Sequence, residues 1–175
     1  MSKRVVVGLF AFLLLTGCAT GPAKGPRFAG LADMKPGYGL LYIYRPHHHV
    51  GSWVWHDVFL NKTKVAGLVD GSYTCVYVEP GTYSIRTEKS LSISALDPGP
   101  GEITVEPSSV TFLLYDRRYE QYWGIAATGN PMAPLVPIPE YKTIYERWTV
   151  AEKEKALLEL RECKFVKPYV ETVPH

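Results

Sequence analysis

The sequence predicts a mainly β protein, an antiparallel β-sandwich of about seven strands with one C-terminal amphipathic α-helix. Short runs rich in Val, Ile, Tyr, Phe and Trp recur at intervals of about 8 to 12 residues. Turn residues such as Asp70-Gly71 and Pro80-Gly81 separate these runs. A clear helical period appears near the C-terminus. At 175 residues the chain is long enough for one domain with its own core.

Residues 1–17 have the pattern of a lipoprotein signal peptide. Lys3 and Arg4 precede an apolar run over 5–15, which is shorter than the roughly 20 residues that a membrane span needs. The tetrapeptide Leu15-Thr16-Gly17-Cys18 resembles the lipobox of bacterial lipoproteins. That resemblance implies diacylglycerol on the Cys18 thiol and a further acyl chain, such as palmitate, on its amino group. An ordinary signal peptide that contains a cysteine is the alternative.

The lipid and the charge balance together indicate where the chain resides. Two or more acyl chains hold a protein at a membrane durably. Ala19 follows Cys18 in place of the aspartate that resembles an inner-membrane retention signal, which favours the outer membrane, facing the periplasm. Without Lys3 and Arg4 the chain carries 17 basic and 17 acidic side chains. Neutrality gives no electrostatic case for nucleic acid or for an anionic membrane surface, so the lipid is the expected membrane contact.

Residues 18–38 mix Gly, Pro, Ala and charge, which predicts a lipidated cysteine and a flexible tether with a reach of roughly 25 Å. A single domain over 39–175 follows. Its predicted strands are 40–45, 53–60, 64–69, 73–78, 82–88, 102–106 and 110–117.

The Asp70-Gly71 dipeptide predicts a two-residue hairpin that pairs strands 64–69 and 73–78. Both faces of that hairpin are largely apolar, so we expect it to be central and covered on both sides. Strands 82–88 and 102–106 alternate apolar and polar residues, which predicts one solvent-facing side for each.

The C-terminal region predicts an amphipathic helix over 150–163. Thr149 and Glu152 form a capping-box pattern, and Ala156, Leu160 and Cys163 fall at helical spacing. The helix should pack on the sheet. Residues 124–148 contain prolines at 131, 134, 137 and 139, which predicts an irregular crossing; a proline-recognition motif is the alternative.

The segments LLYIYRP (40–46), GSWVW (51–55), VFLNKTKVAGLVDGSY (58–73) and VEPGTYSI (78–85) resemble a bacterial lipoprotein family. The domain shared by that family is a periplasmic β-rich module catalogued only as a domain of unknown function. The similarity covers about residues 39–117, and Asn61-Lys62-Thr63 departs from the glycine-containing turn of the family pattern. It implies a secreted, lipid-anchored β module and supplies no catalytic residues.

Cys75 and Cys163 remain after Cys18, and the periplasm can oxidise thiols. If the helix covers the face that carries Cys75, these two cysteines could form a disulfide; two buried free thiols are the alternative. The chain lacks the Gly-x-Ser-x-Gly, His-Glu-x-x-His, phosphate-loop and Cys-x-x-Cys patterns. The sequence therefore predicts a protein that is not an enzyme.

Two clusters could bind ligands. His47, His48 and His49 begin the loop after Pro46 and could hold zinc, copper or nickel, although neighbouring side chains in an extended segment point apart. His56 lies about 10 Å along the next predicted strand from Trp53. The aromatic and charged run at 115–123 could contact a cell-wall glycan or pack at the rim of the sandwich. Its candidate residues are Tyr115, Arg117, Arg118, Tyr119, Tyr122 and Trp123.

These observations favour a lipid-anchored, non-enzymatic interaction or structural module with an envelope protein partner. Metal handling through His47–His49 and glycan binding are the alternatives.

Overall fold

The computed structural model describes residues 23–47, 55–89, 101–126 and 136–175. These residues form two facing β-sheets with one helix on the outside of the first sheet. The predicted fold class, a β-sandwich with a C-terminal helix, is confirmed. The strands are β1 Gly39–Arg45, β2 His56–Leu60, β3 Thr63–Leu68, β4 Ser72–Val78, β5 Gly81–Lys89, β6 Gly101–Val105, β7 Val110–Ala126, β8 Val136–Val150, β9 Lys164–Phe165 and β10 Thr172–Val173; the helix is α1 Lys153–Leu160.

The first sheet has the strand order β10-β4-β1-β7-β8, with the short β9 also paired to β4. The second sheet has the order β3-β2-β5-β6. Among the described strands five pairs are antiparallel and three are parallel. The parallel pairs are β1 with β7, where Leu40 lies opposite Val110, and the short strands β9 and β10 with β4. The parallel pair of β1 and β7 places β7 between β1 and β8 and directs its second half past the end of β1.

Each face of the first sheet has its own hydrophobic core. The core between the sheets joins Leu41, Ile43 and Val76 of the first sheet to Val58, Leu60, Tyr83 and Ile85 of the second. On the outer face Ala156, Leu160 and Cys163 pack on Leu40, Tyr42, Tyr44 and Phe112. Strand β1 is therefore buried on both faces, as its apolar and aromatic sequence before Arg45 requires.

The predicted alternation of the second-sheet strands is confirmed. Tyr83, Ile85 and Thr87 of β5 are buried while the residues between them are exposed. Strand β6 shows the same pattern, with Ile103 and Val105 buried. One face of each strand therefore meets the core and the other meets water.

The hairpin predicted at Asp70-Gly71 is wrong. Strands β3 and β4 lie in different sheets, and the two residues form a turn that crosses between the layers. Gly71 has φ +63°, a left-handed conformation that glycine tolerates. The turn reverses the chain, but β4 carries apolar side chains on both faces. It is therefore placed inside the first sheet, where both of its faces are covered, and not beside β3. The turn at Asn61-Lys62 does join a hairpin, with β2 and β3 paired antiparallel.

The irregular crossing predicted over 124–148 is wrong at 124–126 and 136–148, which belong to β7 and β8; residues 127–135 lie outside the described residues. Among the described strands β8 is the edge strand of its sheet. Pro137 and Pro139 face Ile125 and Trp123 across the ladder. They are two residues apart, so both missing N–H groups lie on the same side of the strand. An edge strand tolerates proline when that side is open.

The helix is shorter than the predicted span of 150–163. Strand β8 continues to Val150, and Glu152 occupies the N-cap without a side-chain cap hydrogen bond. The capping box expected from Thr149 is therefore absent, because Thr149 is a strand residue paired with Leu114. The buried stripe of Ala156 and Leu160 is confirmed.

The tether predicted over 18–38 is docked on the body from Ala23 onward. Arg27 forms an antiparallel bridge with Lys164, and the Ala32 N–H donates to the Tyr42 hydroxyl at 2.7 Å. The Phe28 ring lies edge-on to Tyr42 and Tyr73, with centroids 5.8 and 5.6 Å away. These aromatic contacts explain why a segment without helix or strand periodicity is held.

Candidate functional site

A buried polar network joins the two sheets where β7 leaves the side of β1. Arg45 ends β1, His56 begins β2 and Tyr115 follows the part of β7 paired with β1. Their exposures are 0, 1 and 0%. Arg45 Nη1 lies 2.9 Å from His56 Nδ1, and Tyr115 Oη lies 3.1 Å from His56 Nε2.

The donors in this network have a fixed order, because a guanidinium can only donate hydrogen bonds. His56 Nδ1 must therefore accept from Arg45, so a neutral ring holds its proton on Nε2 and donates to Tyr115. The Tyr115 hydroxyl then donates to Glu146, and burial together with this carboxylate raises the pKa of Tyr115. Glu146 Oε1 also contacts Arg117 Nε at 2.7 Å, with both side chains largely buried.

Asp70 closes the other end of the network. Its carboxylate lies 3.7 Å from Arg45 Nη2 and also contacts Nδ1 of the exposed His47. The buried charges are thus paired within the protein, as a low-dielectric interior demands. Because Arg45, His56 and Tyr115 are inaccessible, these three side chains fix the positions of their strands.

The long hairpin of β7 and β8 extends beyond this network, and we call its outer part, residues 119–126 and 136–143, the arm. A bulge at Arg118/Tyr119 marks its start, and eight residue pairs follow, from Tyr119 with Thr143 to Ala126 with Val136. Eight pairs correspond to about 26 Å of ribbon. Among the described strands, those of the arm pair only with each other. Trp123 is 67% exposed and Ile138 38% exposed.

An apolar groove of about 360 Å³ lies on the outer face of the first sheet. Ala32 of the docked N-terminal segment borders it together with Leu40, Cys75, Tyr77 and Phe165, and Lys167 and Glu171 add charges.

Comparison with family models, curated proteins and solved structures found no match. The resemblance to a lipoprotein family therefore stays a prediction. In the described ranges no helix is long and apolar enough to cross a membrane. Cys18, the predicted lipidation site, lies outside the described residues.

The two cysteines share the outer face of the first sheet but remain free thiols, so the possible disulfide is not present in the structure. Cys75 pairs with Tyr42, whereas Cys163 precedes Lys164, which pairs with Ser72. Continued by one residue, this parallel register puts Cys163 level with Gly71, four residues from Cys75, which separates the two cysteines by roughly 13 Å along the sheet, beyond disulfide reach. Burial raises the pKa of Cys75, and burial with nearby Glu159 raises the pKa of Cys163 to about 12.

The histidines do not form one cluster in the described part of the chain. His47 contacts Asp70, while His56 is enclosed between the sheets. His48 and His49 lie outside the described residues. Among the residues that the structure describes, no group of three or more His, Cys, Asp or Glu side chains is placed to hold a metal ion.

The candidate glycan residues are divided by the structure. Tyr115 and Arg117 are committed to the buried network, so contact between Tyr115 and a glycan, one of the predicted roles, is wrong. Arg118 and Trp123 are exposed, and the side chains of Tyr119 and Tyr122 lie outside the described set. The aromatic run therefore serves two purposes, a buried base and an exposed arm.

Sequence reasoning missed the Arg45–His56–Tyr115 network. A signal was present, because His56 is in phase with the apolar Val58 and Leu60 of β2. Arg45 likewise ends a strand whose other side chains are apolar or aromatic. Charged residues are rarely buried without a partner, so these two positions predict buried polar partners.

Proposed function

We propose that this protein is a lipid-anchored lipoprotein of the outer membrane, facing the periplasm, that acts as a non-enzymatic interaction module. We further propose that the arm is its contact element. The observation that carries the proposal is the exposed arm with Trp123 near its outer end. The lipobox-like Leu15–Cys18 motif supports the location.

The arm has the features of a surface that a partner covers. An isolated two-stranded ribbon is only marginally stable in water, and in the part of the chain that the structure describes β8 has no neighbouring strand on its outer edge. Open edges accept strands from other proteins. An exposed tryptophan is the residue type that contributes most often to binding hot spots. The prolines of β8 restrict pairing along its edge, so the exposed Trp123 side chain is the favoured contact.

The location is tested by metabolic labelling with radioactive palmitate, followed by separation of the membranes. The wild-type chain should incorporate label and fractionate with the outer membrane, whereas Cys18→Ser should do neither. Unlabelled wild-type protein in the soluble fraction would refute the lipid anchor.

The contact is tested by site-specific photo-crosslinking in intact cells that express the full chain. A photoreactive amino acid at position 123 should give one discrete protein adduct. The same amino acid at Leu158, which is 62% exposed on the helix, should give none. Identical patterns at both positions, or no adduct at 123, would contradict the assignment of the arm.

Metal handling through His47, His48 and His49 is the second candidate, and one observation favours it. Asp70 contacts Nδ1 of His47, the carboxylate–imidazole pairing that orients histidine ligands in metal sites. Equilibrium dialysis against zinc, copper and nickel should then show submicromolar binding that is lost when all three histidines become alanine. Equal binding by both proteins would exclude the loop as the site.

A further inference from the structure

The N-terminal segment at 23–28 is packed against the C-terminal segment at 162–168. The Phe165 N–H donates to the Pro26 carbonyl at 2.8 Å, and the Phe28 N–H donates to the Cys163 carbonyl at 3.3 Å. With the Arg27–Lys164 bridge, these bonds define an antiparallel course. Ala23 is buried. Because the two segments run antiparallel, the chain from Arg27 back to Ala23 runs in the direction of Lys167.

This docking shortens the connection to the proposed lipid. The chain from Cys18 to Ala23 can span at most about 18 Å, since an extended residue covers 3.3 to 3.6 Å. The flexible tether predicted over 18–38 would have let the folded body rotate freely relative to the membrane. The short connection instead requires the surface around Ala23 to lie close to the bilayer.

That surface is basic although the whole chain is nearly neutral. The two packed segments carry four cations and one carboxylate: Lys24, Arg27, Lys164, Lys167 and Glu162. Glu162 lies 3.8 Å from Arg27, and the three lysines are exposed. Positive charge at the attachment point complements anionic headgroups.

An aromatic side chain extends this surface. Tyr169 is 57% exposed, and its backbone N–H donates to the Val65 carbonyl at 2.8 Å. The Lys64 ammonium lies 4.8 Å from the Tyr169 ring centroid and 2.8 Å from Asp57, which neutralises it. Exposed Glu171 borders the same groove as Lys167 and adds a further carboxylate on this side. Tyrosine is enriched at the interface between membrane and water.

We infer that Lys24, Lys164, Lys167 and Tyr169 form a surface that docks on the bilayer through anionic phospholipid headgroups. The inference rests on the proposed lipidation of Cys18. Because this surface lies at the β4 side of the first sheet and the arm belongs to the opposite edge, docking leaves the arm available in the periplasm.

Lysine footprinting of the full lipidated chain tests this surface. The chain is reconstituted into vesicles of phosphatidylethanolamine with phosphatidylglycerol, or of phosphatidylcholine alone. It is then treated with a membrane-impermeant acetylating reagent and digested for mass spectrometry. On the anionic vesicles Lys24, Lys164 and Lys167 should react at least three-fold more slowly than on phosphatidylcholine. Lys153 and Lys155 on the helix are internal controls that should react equally on both.

Two variants complete the experiment. Inserting 20 Gly/Ser residues after Cys18 removes enforced proximity, so protection should weaken, and adding Lys164→Ser and Lys167→Ser should abolish protection of Lys24. Flotation with the vesicles but uniform lysine reactivity would overturn the docking surface alone. Equal protection on both lipids would overturn the role of headgroup charge. Failure of the wild type to float would remove the anchor, and the docking surface with it.

Discussion

Replacing Arg45 with methionine is expected to destabilise the fold by about 3–5 kcal/mol, the range for removing one partner of a buried ion pair. The guanidinium is fully buried, 2.9 Å from His56 Nδ1 and 3.7 Å from Asp70 Oδ1. Methionine retains an unbranched apolar stem, so little packing is lost. The cost therefore arises mainly from Asp70, which is 5% exposed and loses a cation.

The measurement is urea unfolding at pH 7 of a chain beginning at Ala19, followed by circular dichroism. For a chain of this size 1 kcal/mol corresponds to about 2–4 °C in Tm, so a thermal scan should show a decrease of about 6–20 °C. Arg86→Met is the matched control: this arginine is half-exposed, pairs with Glu88 and lies over Phe59. The Arg86→Met substitution should change the free energy of unfolding by no more than about 0.5 kcal/mol. Equal effects of both substitutions would refute the argument from burial.

Three further outcomes are expected. In the folded chain beginning at Ala19, the half-buried Cys75 should react with a thiol reagent before Cys163, which should react only on unfolding; simultaneous loss of both thiols would contradict free cysteines at different depths. Burial raises the pKa of Tyr42 from 10.0 to about 12, so the folded state retains a proton that the unfolded chain releases. The contribution of Tyr42 to the free energy of unfolding is complete below pH 10 and decreases as the pH rises toward 12. Tyr42→Phe should make the free energy of unfolding fall less steeply over that range. Nitrogen-15 NMR at pH 7 should show neutral His56 protonated on Nε2; a proton on Nδ1 would contradict donation from Arg45.

The sequence predicted elements whose patterns are local. The alternation of Tyr83, Ile85 and Thr87 predicts both the strand β5 and its buried face, since a strand presents successive side chains to opposite sides. The spacing of Ala156 and Leu160 predicts the buried stripe of the helix for a similar reason. In both cases one period determines which side chains meet the core.

Which strands and side chains contact one another was less predictable, because these contacts depend on residues distant in the sequence. The Asp70-Gly71 turn has local hairpin chemistry, yet Asp70 is drawn inward by Arg45, from a strand 25 residues earlier. The prolines of β8 argue against a strand unless its edge position is known, and that position depends on β7 being 17 residues long. The disulfide expectation identified the shared face of Cys75 and Cys163 but not their offset along the sheet.

The buried network and the arm are mechanically connected, because Tyr115 and Glu146 belong to the β7–β8 hairpin just before the arm begins. Apolar packing alone would hold the start of the arm without fixing its direction. The hydrogen bond between Tyr115 and His56 is directional, and the buried Arg117–Glu146 ion pair joins β7 to β8 at the same place. A contact element held in one orientation loses less conformational freedom when a partner binds. Disturbing Arg45 should therefore weaken the proposed partner capture at Trp123 even at temperatures where the sandwich remains folded. The buried charges, which contribute no accessible chemistry, would then serve function by orienting the arm.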